Sequence, residues 1–144
     1  MKRLVAILML ALALPVARAD DAPAGIVVIV NPASGVERLT RSEVIDIFLG
    51  RYRKLPTGQL ALPIDVAEGG PERAQFYQQL VKKSPAEMSS YWARLVFSGQ
   101  TSPPFQVPDV KTALQLVESN PNAIAYVDRA AVNPKVKVVL EIRP

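Results

Sequence analysis

Two stretches of this chain carry residue types from which a ligand site could be built. Glu68-Gly69-Gly70-Pro71-Glu72-Arg73 places two glycines at the start of an amphipathic segment, and Asn31-Pro32-Ala33-Ser34-Gly35 follows a β-branched run. Glycine lets backbone approach a ligand closely, and the first N–H groups of a helix have no intrahelical partner. A glycine turn opening a helix can therefore offer amides to a small anion, with Arg73 one turn further in. The same residues also fit a solvated strand-to-helix turn in which Glu72 complements the helix dipole, and both readings stand. Ser34 and Gly35 could likewise lend amides to an anion, although a solvated turn is the simpler account of them.

The chemistry open to the chain is limited by what it lacks. Among its 144 residues there is no histidine and no cysteine. Ser-His-Asp triads, Cys-His dyads and His-ligated zinc are therefore impossible. Carboxylate pairs and Ser-Lys arrangements remain, but no spacing argues for either. The expectation is a binding protein and not an enzyme, with no cofactor and no metal.

The first residues read as an export signal. Lys2 and Arg3 precede an apolar run from Leu4 to Val16 broken only by Pro15, and Ala17-Arg18-Ala19 offers a small-x-small cleavage site. The run is shorter than the roughly 20 apolar residues that span a bilayer. Residues 1–19 are thus expected to be a cleaved signal peptide, with residues 20–144 forming one periplasmic domain. Cleavage removes three of the 17 basic residues and leaves 14 against 13 acidic ones, a net charge of +1. A nearly neutral domain with no block of Lys and Arg has no electrostatic footprint for nucleic acid or anionic membrane.

The elements that must position the two glycine turns follow in order. Ile26 to Val30 reads as a strand covered on both faces. Thr40-x-x-Glu43 is a capping box that opens a helix stopped at Gly50. Leu60 to Val66 reads as a strand in which Pro63 marks an edge or an entry. A helix from about Glu72 to Lys82 carries Phe76, Tyr77, Leu80 and Val81 as its apolar stripe. Ser84-Pro85-Ala86-Glu87 caps a third helix whose Trp92 belongs to the core. Ser98 to Pro108, with three prolines, reads as an irregular surface loop, and Asp109 caps a fourth helix. Ala123 to Val127 and Val136 to Ile142 are the last strands, giving β-α-β-α-α-α-β-β. Arg51, Arg53 and Lys54 read as ordinary surface charge. The order predicts an α/β fold, a single three-layer lobe with a mixed sheet and function gathered in the loops at strand ends.

Several fragments, in order, carry a further likeness. They are Val30-Asn31-Pro32, Leu39-Thr40, Ile47-Phe48-Leu49-Gly50, Glu68-Gly69-Gly70 with Arg73-x-x-Phe76-Tyr77, Lys83-Ser84-Pro85-Ala86, Tyr91-Trp92, Phe97-Ser98-Gly99 and Asn120-Pro121-Asn122-Ala123-Ile124-Ala125-Tyr126-Val127. Together they resemble the phosphate-binding proteins of ABC-type uptake systems, in their short stand-alone form. The resemblance implies one lobe of a type II periplasmic binding protein, a periplasmic location, and the holding of a small oxyanion such as phosphate. The candidate ligand-binding residues from the two turns are Ser34, Gly35, Glu68, Gly69, Gly70 and Arg73, of which Glu68-Gly69 fits the resemblance. Large members of the family carry an arginine and an Asp-Gly-Ser-Gly-Thr-like loop before the helix. Aligned on Phe76, Val66 stands at the arginine position, and Gly70, Pro71 and Glu72 stand where the Ser, Gly and Thr would be. That departure implies weak binding, or binding completed by a partner such as a membrane permease or another periplasmic protein. The alternative is a structural or interaction module that has lost its ligand and acts through a homodimer or a protein partner.

Overall fold

The computed structural model describes residues 25–67 and 69–143, so the expected signal peptide and Glu68 lie outside the described residues. Among the described residues, five strands and four α-helices follow one another: β1 (Ile26–Val30), α1 (Arg41–Phe48), β2 (Leu62–Val66), α2 (Pro71–Val81), α3 (Pro85–Phe97), β3 (Phe105–Val107), α4 (Val110–Ser119), β4 (Ala123–Asp128) and β5 (Lys137–Ile142). They form one mixed five-stranded sheet in the order β3-β2-β4-β1-β5. β2 runs parallel to both β3 and β4, whereas β1 lies antiparallel to β4 and β5.

Every residue of β1 is buried, as the unbroken Ile-Val-Val-Ile-Val run requires of a strand covered on both faces. In β4, alternation does the sorting. Tyr126 meets Phe48, Phe76 and Tyr77 of α1 and α2 on one face, and the small Ala123 and Ala125 turn to the other, against which α4 packs. The Phe76 and Tyr126 rings stack with centroids 3.9 Å apart, and Phe48 meets Phe76 edge-on at 4.9 Å.

The helix starts are where the sequence puts them. Thr40 and Ser84 each complete a reciprocal capping box, with Glu43 and Glu87 respectively, and Asp109 accepts from Thr112 N. Gly50, at φ 70°, closes α1 in the left-handed conformation that glycine tolerates best. Asn31 ties β1 to the far end of α4, its Nδ2 donating to the Val117 and Glu118 carbonyls at 2.9 and 3.0 Å.

One expectation is corrected, and one alternative is decided. The segment Ser98 to Pro108 is not loop throughout, because Phe105–Val107 forms β3 on the edge of the sheet. β2 is therefore an inner strand. Pro63 is accommodated at its entry: pairing with β3 begins only at Ile64, so the missing N–H interrupts no ladder on that side. At the opposite edge, the pairing of β5 with β1 shifts between Val28 and Ile29. The displaced Val139 gives its carbonyl to Leu39 N at 3.0 Å.

Candidate functional site

The sheet directions decide which of the expected residues can meet. Val30 at the end of β1 pairs with Ile124, which in turn pairs with Pro63 at the start of β2. The Ser34–Gly35 turn therefore leaves the sheet at the end where β2 begins. Gly69 and Gly70 follow the other end of β2. The two turns are separated by the length of the sheet and do not form one site.

At the first end, Asn31 caps a short 3-10 turn over Pro32–Ser34 by accepting from Ala33 N, and Gly35 sits at φ 77°. Ser34 is buried, and its hydroxyl accepts from Val36 N at 3.2 Å. These groups are engaged with their own turn.

At the other end, β2 and β3 point their carboxyl ends toward the starts of α2 and α4. An open hollow of about 290 Å³ lies between them, lined by Val66, Ala67, Gly70, Glu72, Pro108, Asp109 and Val110. A neighbouring hollow of about 330 Å³ is lined by Gly69, Gly70, Pro71, Arg73, Ala74 and Pro85. Gly69, Gly70 and Arg73 are thus brought together. Gly70 is the N-cap of α2 and supplies no side-chain cap, in contrast to Thr40, Ser84 and Asp109 on the other helices. Gly69 has φ 92°, so a side chain there would be strained. Glu72 and Asp109 also border the first hollow and set negative charge beside the helix starts.

Arg73 does not extend into solvent. It is only 3% exposed and reaches under the turn to Asp65 of β2, which is 2% exposed, with Nε donating to Oδ2 at 3.2 Å. Tyr77 Oη donates to the same oxygen at 3.0 Å, and Tyr126 Oη donates to Oδ1 while accepting from Val66 N at 3.3 Å. The Arg73 guanidinium lies 5.2 Å from the Tyr77 ring centroid. Strand alternation points Asp65 to the α2 face, and the i, i+4 spacing of Arg73 and Tyr77 brings both onto it.

Burial dominates the electrostatics of this group. It pushes the Asp65 carboxyl above its ordinary range, against the Tyr126 hydrogen bond and the Arg73 charge that pull it down. Burial and the adjacent carboxylate together drive the Tyr77 and Tyr126 hydroxyls well above the usual phenol range, so both remain donors. Burial would lower Arg73, but the facing Asp65 outweighs it and keeps the guanidinium charged. The cluster fixes the start of α2, and Arg73 at the wall of the second hollow is its cation.

Asp65 was not among the residues expected from the sequence. Its signal was there to read: a lone carboxylate in an apolar strand, eight residues before an arginine that shares its helical stripe with Phe76, Tyr77 and Leu80. Among the described residues, no cluster of three or more Asp or Glu side chains could hold a metal ion.

No protein-family profile matches the chain, and no curated protein matches it in sequence. Solved structures do. An ABC-type phosphate transport receptor from Vibrio cholerae superposes with a TM-score of 0.66 at 20% identity, over 81% of this chain and 45% of the receptor. PstS from Borrelia burgdorferi superposes with a TM-score of 0.61 at 12% identity, over 81% of this chain and 46% of that one. The chain thus spans less than half the length of each. Its mixed α/β fold is that of a single periplasmic-binding-protein-like lobe, as the sequence fragments implied.

Proposed function

We propose that the chain is the ligand-binding lobe of an exported, periplasmic solute-binding protein, holding a small oxyanion such as phosphate weakly alone or more firmly against a partner. The observation that carries this reading is the start of α2. There an N-terminus without a side-chain cap, two glycines and a buried arginine border one hollow at the carboxyl ends of parallel strands. Main-chain N–H groups of the first turn and the Arg73 guanidinium supply the donors, and Asp65 holds the guanidinium in place.

The reading is one of binding and not of catalysis, because the solved neighbours are named as a transport receptor and PstS. Export follows from the leader expected over residues 1–19, and no described helix is long and apolar enough to cross a membrane. Glu72 and Asp109 beside the hollow favour weak binding unless a second lobe or a membrane permease completes the site.

Isothermal titration of residues 20–144 with phosphate, sulfate and a panel of carboxylates tests the proposal. Saturable heat at millimolar phosphate that is lost in Arg73→Met supports it, once that variant is shown folded by circular dichroism. Absence of heat for every anion at that concentration removes the solitary-receptor form.

A further inference from the structure

At the end of the sheet remote from the start of α2, the chain between α1 and β2 folds back on itself. Leu55 N donates to Gln59 O at 2.8 Å, Ala61 N donates to Arg53 O at 2.7 Å, and Lys54 bridges Leu60 in antiparallel fashion around Gly58 at φ 87°. This small hairpin sets Arg53 and Leu60 near the Ser102–Phe105 segment that leads into β3. Between them lies an open hollow of about 300 Å³ with Arg53, Leu60, Pro63, Ser102, Pro104 and Phe105 in its wall.

Two features of the hollow point outward. Leu60 is 66% exposed and Phe105 56%, although each is large and apolar. Arg53 is an incompletely satisfied cation: Nη1 donates to Ser102 Oγ at 3.3 Å, while Nε and Nη2 are screened from solvent and meet no acceptor among the described residues. Among the described residues none that lines the hollow is acidic, and Arg51 and Lys54 stand close to Arg53 in the chain. Burial without a counter-charge holds the Arg53 guanidinium below its ordinary value.

From this arrangement we infer a second recognition surface, at which the Arg53 hollow docks a segment of a partner protein that presents a carboxylate side chain beside a large apolar one. The carboxylate supplies the counter-charge the guanidinium lacks, and the apolar side chain covers Leu60 and Phe105. The hollow is too open to enclose a small acid, so most of the contact must come from a chain laid across it. Strand addition to β3 does not provide that contact: the strand has three residues, and Pro103 and Pro104 precede it. Recognition therefore rests on side chains. The surface lies at the other end of β2 and β3 from the α2 hollows and shares no lining residue with them.

A terminally blocked, fluorescently labelled peptide alternating leucine and glutamate is the probe, and the same peptide with glutamine is its control. Fluorescence anisotropy against residues 20–144 is expected to show at least tenfold tighter binding of the glutamate peptide, with Arg53→Gln erasing that preference. Leu60→Ser, at an exposed position, is expected to weaken both peptides. Because Arg53 has no ionic partner among the described residues, its replacement should leave the thermal midpoint unchanged or raised, so a loss of binding is not a loss of fold. Equal binding of the two peptides, or a glutamate preference that survives Arg53→Gln, overturns the inference, as does absence of any binding. A peptide preference that persists in Arg73→Met separates this surface from the anion site.

Discussion

Replacing Arg73 by methionine removes the one cation that faces Asp65 among the described residues while keeping most of the buried volume. The variant leaves a carboxylate that is 2% exposed with two phenol donors and no counter-charge. Breaking a buried pair on one side costs about 3 to 5 kcal/mol, a large share of the roughly 5 to 15 kcal/mol that holds a domain of this size together. The loss must depend on pH. Burial already raises the Asp65 pKa in the folded protein, and losing Arg73 raises it further. A carboxyl whose folded pKa exceeds its unfolded one contributes stability that is complete below the unfolded value, about 3.9, and is lost as pH rises through the folded value. The penalty of Arg73→Met should therefore be larger at pH 7 than at pH 4, where the protonated acid is held by the tyrosines without a charge to neutralise. Urea unfolding of wild type, Arg73→Met, Asp65→Asn and the double variant at both pH values measures this. The double variant at pH 7 should recover a coupling energy of at least 1 kcal/mol. A penalty below about 1 kcal/mol at pH 7, or one unchanged at pH 4, would refute the view that the pair is a mutually neutralised buried unit.

Three further outcomes are expected. Gly50→Ala should cost about 2 kcal/mol in urea unfolding, because Gly50 is at φ 70° and an added Cβ would stand 2.8 Å from Thr101 Oγ1 and 3.2 Å from the Trp92 ring. Asn31→Ala should cost a similar amount, about 2 kcal/mol, by freeing the two α4 carbonyls it joins; hydrogen exchange should quicken first in α4. If the α2 hollows hold an anion, Glu72→Gln should tighten phosphate binding about fivefold, the effect of removing roughly 1 kcal/mol of like-charge repulsion; titration calorimetry reads the change.

The helices and long strands were legible because each carries its own boundary. Thr40 with Glu43, Ser84 with Glu87 and Asp109 are local signals whose hydrogen bonds close within one turn. β3 was not legible, since three residues behind two prolines have no periodicity of their own and exist as a strand only through pairing with β2. The same non-local cause separates Ser34 and Gly35 from Gly69, Gly70 and Arg73: nothing in either turn states that β1 runs antiparallel to the strands it joins. Arg73 was found by type and position, but its turn inward to Asp65 depends on the strand that precedes it. Arg53 reads as plain surface charge until the hairpin brings it beside Ser102, 49 residues away.

The displaced carbonyl at Val139 has a consequence for how copies of this lobe behave when crowded. A strand rim that has already surrendered an acceptor to Leu39 offers a newcomer a broken row, and the other rim is three residues long behind two prolines. Neither side templates growth of the sheet, so concentrated protein should resist cross-β stacking, and its contacts with other molecules fall to loops, hollows and helix starts.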